Sequence, residues 1–131
     1  MTKGDWMDLT VLERKKYNYL SEVMDISRQM GDALDRNDQV SMRMLIAMRQ
    51  DPILGLEEIK QAITSKRDSL LPEDRERVSA LDGGAPPRQD GENFYAEQIT
   101  NVRRLLERVV ELDRTLSRRL AGGSSFYAKE K

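Results

Sequence analysis

Three close pairs of carboxylates, Glu57-Glu58, Glu73-Asp74 and Glu111-Asp113, are the residues whose type and spacing come nearest to acid–base chemistry. A general acid beside a general base needs two carboxyl groups whose surroundings push their pKa values apart, commonly by burying one of them. Each of these pairs instead has Lys or Arg close by in a helical pattern, which is how a solvated charged face reads. The chain has no His and no Cys. That removes the Ser-His-Asp and Cys-His arrangements, zinc sites of the Cys type, and the inward Glu-x-x-His spacing of di-iron bundles. Neither a G-x-x-x-x-G-K-[ST] nor a G-x-G-x-x-G phosphate loop is present. The chain is therefore read as non-enzymatic, with no catalytic residue, no cofactor and no metal.

Nucleic acid is the next candidate. Arg103, Arg104, Arg108, Arg114, Arg118 and Arg119 gather in one segment. Glu107 falls three or four residues from Arg104 and Arg103, and Glu111 three from both Arg108 and Arg114, so acids dilute the patch at helical neighbour spacings. Over the whole chain 22 Lys and Arg face 23 Asp and Glu, which leaves no net field to recruit a polyanion. Apolar surface is what remains to act.

The elements that display this surface follow from spacing. The chain is 131 residues long, the size of one domain, and its few aromatic and many charged residues fit an all-α protein better than a β-sandwich. The first helix is expected from about 5 to 36, capped by Asp5 and stopping at Asn37. Leu9, Leu12, Tyr19, Val23, Ile26, Met30 and Ala33 form a heptad-like stripe in which Lys16 is the one polar occupant. The second is expected from 38 to 70, capped by Asp38, with a stripe of Leu45, Met48, Leu56, Ile59, Ile63 and Leu70. Pro52 either bends this helix or starts a new one, and the stripe keeps its phase across it, which favours one bent helix.

A short helix is expected over 72–82, a Gly- and Pro-rich linker over 83–91, and a last long helix over 92–121 that ends at Gly122-Gly123 ahead of a tail, 122–131. Packed together, three helices of about 30 residues make an elongated antiparallel three-long-helix bundle about 45 Å long, with a short extra helix before the last long one. Such a sheaf is thin, and an apolar groove on it suits a fourth helix from a partner or a second copy. No run of about 20 apolar residues spans a membrane, and Met1–Trp6 carry no secretory apolar region, so a cytoplasmic location is expected.

Methionine is the informative excess. Met24, Met30, Met42, Met44 and Met48 all fall in the first two helices, and the unbranched thioether adapts to varied partners. Met30 and Met48 lie on the stripes and are assigned to the core. Met42 and Met44 flank the second stripe and are assigned to exposed contacts. Phe126 and Tyr127 place two aromatics in the tail, either folded onto the bundle or held out as an anchor for a partner.

Three stretches carry a likeness to a known family. They are Ala33–Asp38 followed by Met44–Gln50, then Asn101–Leu106 near the start of the last long helix, and Ser125-Phe126-Tyr127 after it. Together, over about residues 9 to 127, they resemble the FlgN-like flagellar export chaperones; Pro52 departs from that pattern. The resemblance implies a small cytoplasmic chaperone that binds helix-prone terminal segments of hook-associated proteins and passes them to the export machinery. It also implies that the last helix bears the partner through Val102, Leu105, Leu106, Val109, Leu112, Leu116 and Leu120, with Phe126 and Tyr127 as further contacts. The alternative is a self-associating helical bundle, pairing as a homodimer, or an adaptor protein with a structural or interaction role.

Overall fold

A computed structural model describes residues 1–130, with side chains described for 1–121. It is a helical bundle of four helices: α1 (Lys3–Asp35), α2 (Gln39–Asp68), α3 (Pro72–Asp82) and α4 (Glu92–Glu130). The N-terminal cap of α1 is Thr2, not Asp5. Thr2 Oγ1 accepts from the Asp5 N–H at 3.0 Å, and Asp5 Oδ2 accepts from the Thr2 N–H at 3.0 Å. This reciprocal pair satisfies two otherwise orphaned donors and moves the start three residues upstream of the expected cap. At the other end Asn37 adopts the left-handed conformation (φ 56°), and the Asp38 N–H donates to the Ala33 carbonyl at 2.8 Å. Asp38 then caps α2, accepting from the Ser41 N–H at 3.0 Å.

α2 runs through Pro52 as one helix, and the proline is buried. The missing donor is tolerated there because the ring contributes to the core. α3 opens on Pro72 with Glu73 and Asp74 in its first turn, where the helix dipole favours negative charge. The linker then turns through Gly84 and Gly91, both at positive φ. At Gly91 a Cβ would stand 3.1 Å from that of Trp6, so glycine answers both the turn and the close approach. α4 does not stop at Gly122-Gly123 but continues to Glu130. Glycine weakens a helix by about 1 kcal/mol relative to alanine without forbidding it.

α1 is the central helix, with α2 and α4 each lying along its length and approaching each other's backbone little. α2 runs opposite to α1, as Lys66 against Asp5 at one end and Arg49 against Ser27 further along require. α4 runs with α1, from Tyr95 beside Trp6 to Arg119 on Asp35. The core falls into three clusters along this axis. Trp6, Leu9, Val78, Leu81 and Tyr95 fill the end covered by α3. Leu20, Val23, Val102, Leu105 and Val109 fill the middle. Met30, Ala33, Met42, Leu45 and Leu116 fill the far end.

The buried stripes run one residue out of step with the expected ones in places. On α1 the buried positions are Trp6, Leu9, Glu13, Leu20, Val23, Ser27, Met30 and Ala33. Leu12 and Ile26 are only half-buried, and Glu13 and Ser27 go inside in their stead. On α2 the inward series is Met42, Leu45, Arg49, Pro52, not Leu45, Met48, Pro52. Met42 is buried and Met48 exposed, the reverse of their expected roles. Both series alternate steps of three and four. Arg49 takes the inner one because its stem covers apolar surface while its guanidinium finds oxygen partners.

Candidate interaction surfaces

The structure divides the residues expected to meet a partner. Val102, Leu105, Val109 and Leu116 are buried against α1 and α2 and form much of the bundle's own core. They are therefore not surface, a correction to the partner face expected of the last helix. Leu112 and Leu120 are half-buried at its edges. Leu106 is exposed, and so is Met44 at 59%. Met42 is buried in the far cluster and is corrected likewise. The side chains of Phe126 and Tyr127 lie outside the described residues.

Adjacent doublets explain the division. Neighbouring residues on a helix point about 100° apart, so in Leu105-Leu106 and Val109-Val110 one member of each pair must leave the core stripe. Leu106 and Val110 are those members, 40% and 39% exposed. They share a face with Asp113, seven residues after Leu106 and three after Val110, and Asp113 Oδ1 accepts from Arg49 Nη1 on α2 at 3.0 Å. That face of α4 therefore looks toward α2. On α2, Ile46 and Ile53 stand three before and four after Arg49, on the edge that looks back. Ile46, Leu106 and Val110 are exposed on these facing edges, Ile53 is half-buried against the middle cluster, and the Arg49–Asp113 pair crosses between the two helices.

Two further apolar surfaces are present, of which the sequence reading named Met44 alone as exposed. Val40, Met44 and Met48 recur every four residues on α2, all exposed, and Met44 and Met48 border a shallow hollow against Gln29, Asp32 and Arg36 of α1. Met7 and Val11 on α1 meet Phe94 on α4 in an open hollow of about 490 Å³. The spacing of Met7 and Val11, off the main stripe of α1, was the available signal.

The carboxylate pairs are dispersed among separate partners. Glu57 faces Lys60 at 4.0 Å and Glu111 faces Arg114 at 3.9 Å, all four exposed, while Asp113 is tied to Arg49. Titration is perturbed at the end covered by α3. Burial raises the Glu13 carboxyl above the usual carboxylate range, with Asp82 adding to the rise and Lys16 and Arg67 opposing it. Burial also pushes the Tyr95 hydroxyl far up, and the neighbouring Asp82 carboxylate adds to this. At the start of α1, the hydrogen bond from Lys66 and then that from the Thr2 backbone hold Asp5 down at about 2. These groups sit where the helices pack together at that end of the bundle.

Comparison with protein-family models, with curated proteins and with solved structures finds no match. No described helix is long and apolar enough to cross a membrane.

Proposed function

We propose that the chain is a non-enzymatic, partner-binding protein that accepts an amphipathic helix of another protein against the facing edges of α2 and α4. In its specific form the proposal is a cytoplasmic export chaperone that holds helical terminal segments of flagellar hook-associated proteins until secretion. The observation that carries the partner-binding reading is the apolar surface left beside the Arg49–Asp113 pair, where Ile46 of α2 and Leu106 and Val110 of α4 are exposed on facing edges of two antiparallel helices. Covering such segments keeps a cargo's apolar residues from self-association. The flagellar cargo rests on the resemblance of Ala33–Gln50, Asn101–Leu106 and Ser125–Tyr127 alone, and fold does not fix function.

Titrating the purified chain with a synthetic terminal segment of a hook-associated protein tests the specific form. Saturable binding that Leu106→Asp and Val110→Asp abolish, while both variants keep their helical content, is the expected result. No binding by a folded sample removes the flagellar cargo. Binding that both variants retain removes this surface.

Self-association is the second reading. The exposed row Val40, Met44 and Met48 lies on the opposite edge of α2 and suits an isologous contact between two copies. Light scattering across a concentration series decides it. A mass that stays monomeric throughout rejects pairing, and a dimer that Met44→Asp dissociates supports it.

A further inference from the structure

All four helices meet in a polar cluster at one end of the bundle. Arg67 in the last turn of α2 donates through Nη2 to Asp82 Oδ2 at 2.6 Å and to the Tyr95 hydroxyl at 3.0 Å. That hydroxyl in turn donates to Asp82 Oδ1 at 2.8 Å. The Arg103 guanidinium donates to the Asp82 carbonyl. Glu13 of α1, 3% exposed, belongs to the same cluster. Three buried atoms at this end have no hydrogen-bond partner: Trp6 Nε1 and, within the polar cluster itself, Glu13 Oε2 and Arg67 Nε; the last two are complementary. One lacks a donor and the other an acceptor, and a buried group left in that state is costly.

α3 is the element with the weakest independent hold. It has 11 residues, fewer than the roughly 12–15 at which an isolated helix becomes even marginal in water. It buries only Val78 and Leu81. The rest of its attachment is polar: the Asp82 contacts, Arg77 Nε donating to buried Glu92 at 2.8 Å, and Asp74 Oδ1 accepting from the Met1 ammonium at 3.2 Å. Beneath it lie Trp6, Leu9 and Tyr95, the largest apolar surface at this end.

We propose that α3 is a releasable clasp over the Trp6–Leu9–Tyr95 surface, and that Arg67 switches carboxylates as it opens, leaving Asp82 of α3 for Glu13 of α1. In the closed state Arg67 serves Asp82, and Glu13 keeps an unpaired oxygen. When α3 lifts, the guanidinium is freed toward Glu13, and both orphaned atoms gain a partner at the moment the apolar surface is uncovered. The charged groups facing Glu13 are Lys16 from its own helix, Arg67 from α2 and Asp82 from α3, with the Tyr95 hydroxyl from α4. Ionised Glu13 competes for Arg67 and favours the open state; protonated Glu13 makes no claim and favours the closed one.

Amide hydrogen exchange on the full chain tests this, with emission from Trp6, the sole tryptophan, as a second readout. At neutral pH, Glu13→Gln is expected to raise the protection of the 78–81 amides by about fivefold or more, leaving the centres of α1, α2 and α4 unchanged. Asp82→Asn is expected to lower that protection and shift Trp6 emission to the red, and to do so less in the Glu13→Gln background. Equal gains in every helix would make Glu13 a burden on the whole core and overturn the clasp, as would no gain at all. If Glu13→Gln does not fold, the unmodified chain carries the test. Lowering the pH from about 7 to about 4.5 must then protect 78–81 selectively, after correction for intrinsic exchange. A uniform or absent change overturns the proposal.

Discussion

Arg49 Nη1 donates to Asp113 Oδ1 at 3.0 Å, joining two helices whose backbones otherwise stay apart. The same nitrogen lies 3.4 Å from the Oγ of fully buried Ser27 on α1, so one guanidinium touches all three long helices. The pair is partly exposed, which places its worth near the modest values of surface ion pairs. Arg49→Met is expected to cost about 1 kcal/mol in urea unfolding, because the lost hydrogen bonds outweigh the retained apolar stem. Asp113→Asn is expected to cost less, about 0.5 kcal/mol or under.

Gly55 presses against the Tyr19 ring, and a Cβ at position 55 would overlap three of the ring's carbons. In an exposed helix Gly→Ala gains about 1 kcal/mol. Here the sign is expected to reverse, with Gly55→Ala costing about 1–3 kcal/mol through overpacking. Adding Tyr19→Ala is expected to recover part of that loss, so the double mutant unfolds at a higher denaturant concentration than the two single losses add up to.

Met42 and Met48 separate by burial, 7% against 48% exposed. Met42→Ala is expected to cost about 2–4 kcal/mol through the cavity it leaves. Met48→Ala is expected to stay within about 0.5 kcal/mol. Thermal unfolding of the two variants side by side reads the difference. Equal losses would place the inward series of α2 on the wrong residues.

Asp5 carries a pH signature. Its carboxyl is held at about 2 by Lys66 Nζ at 2.9 Å and by the Thr2 N–H, below the unfolded value of about 3.9. A depressed folded pKa stabilises above the unfolded value, and the contribution disappears as pH falls through the folded one. Asp5→Asn is therefore expected to unfold more readily than the parent chain at neutral pH, with the gap closing between about pH 4 and about pH 2. A gap that persists unchanged at pH 2 would assign the loss to the cap geometry instead of the charge.

The elements were legible in the sequence because their punctuation is local. Asn37-Asp38, Pro72 and the 83–91 linker each impose a stop or a start through their own backbone chemistry, and α3 occupies the expected 72–82. The facing of each helix was not legible. Stripes through Leu12 or Glu13, and through Met48 or Arg49, alternate equally well by threes and fours, and a local pattern favours the more apolar residue of each pair. The structure prefers Arg49 because Ser27 and Asp113 supply oxygens from distant parts of the chain, which no local pattern contains. The same gap moved the expected partner face inward: Val102, Leu105, Val109 and Leu116 are apolar enough to bind another protein, and α1 and α2 claim them first.

The central position of α1 orders the assembly of the chain. α2 reaches it across a tight turn at Arg36–Asp38, whereas α4 closes contacts as distant as Asp35 with Arg119, 84 positions apart. Local pairings form early and distant ones wait for loop closure. The α1–α2 hairpin is therefore expected to precede the docking of α4, and until α4 arrives Leu20 and Val23 lack the cover of Val102, Leu105 and Val109. During synthesis this half-built hairpin is itself an apolar cleft awaiting a helix, and the first helix to fill it is the chain's own.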